Sequence, residues 1–205
     1  MILKYLGHSS FFIGGRDKSV VTDPFNGIGY EIERVNAEFC TVSHNHFDHN
    51  YIRGVNVSTV VDKPCNGFLA IDSFHDSNLG SLRGKNTIFK FVVDGITVCH
   101  MGDIGEYYSD SLAEEIGETD VLLLPVGGKY TIDGKEAAVY THNLHAKITI
   151  PMHYKTPKSN LDIDCVDKYL ACIYNKVVTA GEEIELNKDN LPFEPTVIVM
   201  NNKRI

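Results

Sequence analysis

Three histidines and an aspartate fall within six residues of this 205-residue chain, in the run Ser43-His44-Asn45-His46-Phe47-Asp48-His49. Neutral imidazoles and a carboxylate are good ligands for zinc and its first-row neighbours. The spacing suits that chemistry. Phe39-Cys40-Thr41-Val42 ahead of the run is β-type. In an extended segment alternate side chains share a face, so His44 and His46 can address one cation together. Asp48 and His49 lie past the bend and can address a second point; Asn50-Tyr51-Ile52 could open a helix. At this chain's usage of His and Asp, the pattern His-x-His-x-Asp-His arises by chance in about 1 in 1,000 chains of this length. A His-rich solvated turn is therefore the weaker reading.

The run His44-x-His46-x-Asp48-His49 resembles the signature of the metallo-β-lactamase fold superfamily, which includes glyoxalase II, ribonuclease Z and many lactonases and phosphodiesterases. The resemblance extends from Leu6-Gly7-His8-Ser9-Ser10 to Pro151-Met152-His153-Tyr154. It is strongest with small metal-dependent hydrolases near the L-ascorbate-6-phosphate lactonase and phospholipase D-like branches.

That resemblance implies a site. His75, in Ser73-Phe74-His75-Asp76 at a strand end, would join His44 and His46 at a first metal. His153 would join Asp48 and His49 at a second. Asp103, after Gly102, would bridge the two, because a carboxylate can give one oxygen to each cation. Asp48 is also a candidate for proton handling. Asp23, in Val21-Thr22-Asp23-Pro24, would orient a metal-bound histidine, whose other nitrogen needs a partner; on the residues alone it is equally a turn residue. His8 is expected behind the ligands, against substrate, or simply at the surface. Lys129 and Tyr130 follow Gly127-Gly128 in a loop resembling one that borders the active site of relatives. They are candidate substrate contacts, or else part of a hinge-like loop with an exposed lysine. Asp76 is a weaker candidate beside His75. Arg83 and Lys85 read as residues of a solvated loop ahead of an anion site. His100 is assigned to the core or behind the ligands, and His142 and His145 to structural places near a helix end.

Bulk properties narrow the class. The length and 43% apolar content suit one globular domain, 1–205. A net charge of −8 argues against a general nucleic-acid binder, which needs a basic face. No apolar run approaches the ~20 residues that span a bilayer. Met1-Ile2-Leu3-Lys4-Tyr5 reads as a first strand and not as a signal peptide. Five cysteines without a C-x-x-C pair read as buried thiols in a reducing cytoplasm.

The elements that must position the candidates follow from short apolar runs between turn residues. Ile2–Leu6, Phe11–Gly14 and Ser19–Thr22 read as a meander. Glu31–Glu38 is a weak helix candidate, and Phe39–Val42 delivers the histidine run. Thr59–Val61 and Phe68–Ser73 are strands, and Thr87–Val93 with Ile96–His100 forms a hairpin over Asp94-Gly95. Ser109–Ile116, Asp133–Asn143 and Asp162–Ile173 read as helices, the second with a capping box from Asp133 and Glu136. Asp120–Pro125, Lys147–Pro151, Val177–Ala180, Ile184–Leu186 and Thr196–Met200 complete the strands.

Strand–helix alternation with ligands at strand ends fits an α+β protein. The resemblance implies the αββα sandwich of two mixed sheets flanked by helices. The expected function is a metal-dependent hydrolase that holds two divalent ions, zinc first and manganese or iron as alternatives, and uses a metal-bridging hydroxide. The expected substrate is a phosphodiester or phosphorylated lactone small molecule. The alternatives are a non-catalytic metal-binding or sensing module of the same fold and a ribonuclease-type phosphodiesterase. A homo-oligomer is open.

Overall fold

The computed structural model describes residues 1–65 and 67–205. In chain order the strands are β1 (Ile2–Gly7), β2 (Ser10–Gly14), β3 (Ser19–Thr22), β4 (Asn36–Thr41), β5 (Asn56–Val61), β6 (Phe68–Phe74), β7 (Lys85–Val93) and β8 (Ile96–His100). Helix α1 (Asp110–Ile116), β9 (Val121–Pro125), α2 (Gly134–Leu144), β10 (Ile148–Met152), α3 (Val166–Leu170), β11 (Lys176–Ala180), β12 (Glu183–Glu185) and β13 (Thr196–Met200) follow. They form a six-stranded sheet, β12-β1-β2-β3-β4-β5, and a seven-stranded sheet, β11-β13-β10-β9-β8-β7-β6. Both are mixed: meander pairs are antiparallel, whereas β3-β4-β5 and β8-β9-β10-β13-β11 are parallel.

Alternation decides the layers. Leu3, Tyr5, Phe11, Ile13 and Val20 from one sheet meet Phe89, Phe91, Val98, Leu123 and Ile150 from the other in a continuous apolar core. The opposite residues of β8 and β9, Cys99, Leu122 and Leu124, pack outward under α1, α2 and α3 through Leu112, Ile116, Ala137, Tyr140 and Tyr169. Val121–Pro125 is buried along its whole length, as a strand covered on both faces must be. Its sequence is a run of apolar residues for the same reason. Local signals hold at the turns. The β7-β8 hairpin closes over Asp94 and Gly95, both at positive φ. Helix α2 begins with the reciprocal bonds of Asp133 and Glu136.

The outer layer over the six-stranded sheet is thin. Glu31–Glu38 is not a helix: residues from Asn36 onward pair with β5, and the parallel ladder takes the backbone groups that a helix would have used. Ile32, Val35 and the 3-10 turn Ile52–Gly54 cover Leu6, Val21 and Cys40 instead. The expected helix Asp162–Ile173 is cut to Val166–Leu170. Its first residues are claimed by extended bonds, Asp164 N–H to Gly127 O at 2.8 Å and Lys155 N–H to Asp164 O at 2.8 Å. The cysteines are not all buried: Cys40 and Cys99 are, Cys172 is partly so, and Cys65 and Cys165 are exposed. No helix of the described residues is long and apolar enough to cross a membrane.

Candidate metal centre

Topology brings the candidates together. Two antiparallel steps restore direction, so β1 and β3 run with β4 in one sheet, and β6 runs with β8 and β10 in the other. Just past the ends of these six strands lie His8, Asp23, His44, His75, Asp103 and His153. The two sheets are stitched here by backbone: His153 N–H donates to His8 O at 3.0 Å and Thr87 N–H to Ser43 O at 2.9 Å. A ligand at a strand end is held by the scaffold and not by a flexible loop.

The side chains form two groups around one carboxylate. His44, His46 and His75 offer ligand atoms that all lie within 4.8 Å of one another, as do His8, Asp48, His49 and His153. Asp103 sits between the groups. Its Oδ2 is 3.1 Å from His49 Nε2 and 3.2 Å from His153 Nε2 on one side, and 3.3 Å from His75 Nε2 and 4.0 Å from His44 Nε2 on the other. His8 is fully internal, contrary to a surface placement, with Nε2 at 3.4 Å from Asp48 Oδ2.

The nitrogens of His49, His75 and His44 that point away from the centre are held, whereas Nδ1 of His153 is buried without a hydrogen-bond partner. His49 Nδ1–H donates to Asp23 Oδ2 at 2.9 Å. His75 Nδ1–H donates to the Tyr130 carbonyl at 3.0 Å. His44 Nδ1–H meets Ser43 Oγ at 2.9 Å, and that hydroxyl donates to Asp23 Oδ2 at 2.5 Å. The other oxygen of Asp23 accepts from Ser43 N–H at 2.8 Å. One fully buried carboxylate thus fixes the tautomer of a histidine in each group and leaves both Nε2 lone pairs facing the centre. Ser43 and Asn86 are the functional residues that sequence reasoning missed. Asn86 Oδ1 accepts from Asp103 N–H at 2.8 Å while its amide donates to Met101 O at 2.9 Å, which fixes the turn carrying Asp103. Gly102 is needed in that turn: at φ 56° a Cβ would lie 2.2 Å from Asn86 Oδ1. His8, Asp23 and His153 take positive φ without being glycine, strain of about 1–3 kcal/mol each at sites of this kind.

Burial sets the electrostatics. It pushes His8 down to about 4, helped by neighbouring His153, and His44 down to about 3, helped by His49. Both are therefore neutral with a lone pair to give. Asp48 and Asp103 stay ionised, because facing histidines outweigh the burial that opposes their charge. The Nε2 atoms of His8, His44 and His49 and Oδ1 of Asp103 are buried without a hydrogen-bond partner. An unmade bond at each buried polar atom costs about 1–3 kcal/mol. Asp103 overcomes the effect of burial at His49 and His75 and pushes both up, so a cation binding there displaces protons. Converging imidazoles and ionised carboxylates are the donor set that divalent cations take up, so the residues fit the metals expected of them.

A cleft of about 570 Å³ opens over this centre, walled by His46, Phe47, Asp48, Arg83, Tyr130 and Leu161 among others. Tyr130 faces it, but the amino group of Lys129 is turned to the carboxylate of Asp162. Arg83 is not merely a solvated loop residue: it borders the cleft, with its guanidinium 5.6 Å from the Tyr130 ring centre. Asp76 places that loop. Its carboxylate accepts from the N–H groups of Asn78, Gly80, Leu82 and Arg83 at 2.7–3.1 Å. His100 is occupied elsewhere, with Nε2–H donating to Ser9 O at 2.8 Å and Nδ1 accepting from Gly102 N–H at 3.2 Å. His142 and His145 stand apart at the end of α2.

Comparison with known proteins gives the family and the fold. Residues 2–153 match the family model of the Beta-lactamase superfamily domain. The UPF0173 metal-dependent hydrolase of Methanoregula boonei is 31% identical over 186 residues, covering 76% of this chain and 83% of that protein. A metal-dependent hydrolase of Carboxydothermus hydrogenoformans is 28% identical and aligns over 91% of this chain and its own full length (100%). The crystal structure of a proposed Zn-dependent hydrolase of the metallo-β-lactamase superfamily from Thermotoga maritima superposes with a TM-score of 0.80 at 38% identity, covering 97% of each chain. Histidine run, paired sheets and extent of match agree: the chain belongs to the metallo-β-lactamase superfamily.

Proposed function

We propose that this protein is a dinuclear metal-dependent hydrolase of small anionic esters, with a phosphodiester or a phosphorylated lactone as substrate. One observation carries the reading. The Asp103 carboxylate lies within 3.1–3.3 Å of His49, His75 and His153, so it touches both histidine groups at once. His44, His46 and His75 would hold a first cation, Asp48, His49 and His153 a second, and Asp103 both. Zinc suits this set best, and manganese and iron also suit it. Bound cations would supply water acidified to a pKa near ~7 and positive charge for the oxyanion that forms.

The remaining work belongs to the chain. Arg83 is the only lysine or arginine among the described residues lining the cleft, and it has no acidic partner within ion-pair distance among them. It is placed to hold a phosphate or carboxylate, a planar, bidentate task that arginine performs well. Phe47, Tyr130 and Leu161 give the same cleft apolar walls that take the body of a small substrate and exclude water. Asp48 remains ionised beside His49 and His8, so its carboxylate serves as a ligand ahead of a base. A single arginine is a poor track for RNA, which favours small esters over a ribonuclease reading.

Metal analysis of protein purified without chelator, paired with a panel of phosphodiesters, phosphorylated lactones, β-lactams and thioesters, tests the proposal. Close to two divalent ions and turnover of the first two classes is the expected result. Less than half an equivalent of metal after reconstitution, or β-lactam turnover without phosphodiesterase or lactonase activity, overturns it.

A further inference from the structure

His8 has no role in the seven-residue ligand set, yet its placement is costly and specific. It sits in the turn between β1 and β2 at φ 53°, a left-handed conformation that a residue with a Cβ rarely takes. Its carbonyl is pinned by Tyr5 O–H at 3.1 Å and His153 N–H at 3.0 Å, so the backbone cannot relax independently of the centre. The imidazole is 2% exposed, and its Nε2 has no hydrogen-bond partner. Ring centres of His153 and His49 lie 4.4 and 4.9 Å away. Nε2 is 3.4 Å from Asp48 Oδ2.

Two roles fail on these facts. A substrate contact would have to reach the cleft, and His8 is not among the residues that wall it. A satisfied core histidine would have both nitrogens occupied, as His100 does. What remains is a lone pair aimed at the point shared by Asp48, His49 and His153, whose ligand atoms and its own all fall within 4.8 Å of one another.

We propose that His8 is itself a ligand of the second cation; the inference rests on the two-cation reading above. The second ion then has His8, Asp48, His49 and His153 with Asp103 shared, five protein ligands. The first has His44, His46 and His75 with Asp103 shared, four. The asymmetry assigns jobs: both ions border the cleft through their ligands, but the second has one more protein ligand, so the position left for substrate falls to the first, beside exposed His46.

Protein loaded with isotopically enriched cadmium-113 gives a direct readout, because cadmium couples through bonds to the ring protons of each ligating histidine. Expected are couplings to six imidazoles, His8 included, with the His8 signals lost in His8→Gln. Coupling to five with His8 silent overturns the proposal while leaving the two-cation reading intact. Coupling only to His44, His46 and His75 overturns the two-cation reading and this proposal with it. A chelator titration gives the second arm. His8→Gln should weaken the second equivalent by more than about 100-fold, beyond the 10–100-fold typical of losing an orienting partner, and leave the first within about threefold. A loss under 10-fold counts against a ligand role.

Discussion

Asp23→Asn tests the central idea, that one buried carboxylate sets the ligand state of a histidine in each group. The native carboxylate accepts from Ser43 N–H, Ser43 O–H and His49 Nδ1–H. Asparagine keeps the shape but turns one accepting face into a donor. In either amide orientation, an N–H then faces another N–H or the hydroxyl proton. If the amide nitrogen faces His49, the imidazole must shift its proton to Nε2, where Asp103 lies at 3.1 Å and a cation would bind. A buried donor left without its acceptor costs about 1–3 kcal/mol. At this length that is a fall in Tm of very roughly 2–12 °C for the metal-free protein. Losing an orienting partner typically weakens metal affinity by about 10–100-fold, or about 1.4–2.7 kcal/mol. Since Asp23 supports His49 directly and His44 through Ser43, both equivalents should weaken. Ser43→Ala removes only the hydroxyl arm and should weaken only the equivalent held by His44. Competition against a chromophoric chelator resolves the two steps, and nitrogen-15 spectra of the imidazoles report the tautomers. Both affinities unchanged within threefold in Asp23→Asn, or equal weakening of both in Ser43→Ala, would refute the reasoning.

Asp103→Asn keeps shape but supplies a poorer bridge, so turnover should fall by ~10²-fold or more with weaker binding of at least one metal; two tightly held metals and a near-native rate would count against bridging. His100→Gln should retain its full metal complement in elemental analysis, because both its nitrogens serve the fold, while its Tm falls. Arg83→Gln should raise KM for anionic esters about 10-fold or more and change a neutral ester little, the comparison that separates anion recognition from general damage. Metal retention after dialysis should be complete at pH 7.5 and fall below about pH 6, as protons compete for His49 and His75, which Asp103 holds above the ordinary imidazole range, while His44 and His8 stay neutral there.

Much of this site is legible in the sequence because ligands need particular residue types and strands give fixed directions. The His44–His49 run, Asp103 after Gly102, and His75 and His153 after apolar runs all carry a local signal. Ser43 and Asn86 carry none. Each is a common polar residue whose role exists only once β3 lies beside β4, or β7 beside β8. His8 has one neighbour signal, Gly7, but its burial depends on the second sheet closing over it through His153. The misjudged helices failed for a related reason. Periodicity at Glu31–Glu38 and Asp162–Ile173 is genuine, but tertiary partners took the backbone bonds first. Arg83 looked solvated because nothing in its neighbours reveals that Asp76 folds the loop back over the centre.

The seam between the two sheets is not uniform. Along most of its length it is sealed by side chains such as Phe11, Ile13, Phe89 and Leu123, which part only when water enters. At the edge carrying the centre, imidazoles and carboxylates replace them, and some of those polar atoms are buried with no partner. Grease cannot hold that edge shut. Cations clasped from both sides would, with His44 and His49 reaching from one sheet and His75 and His153 from the other. With cations bound, the sandwich would behave like a book with a bound spine and a metal clasp. Its lifetime against proteases and heat should be set by how slowly the clasp releases its ions, and a chelator should open it from that edge first.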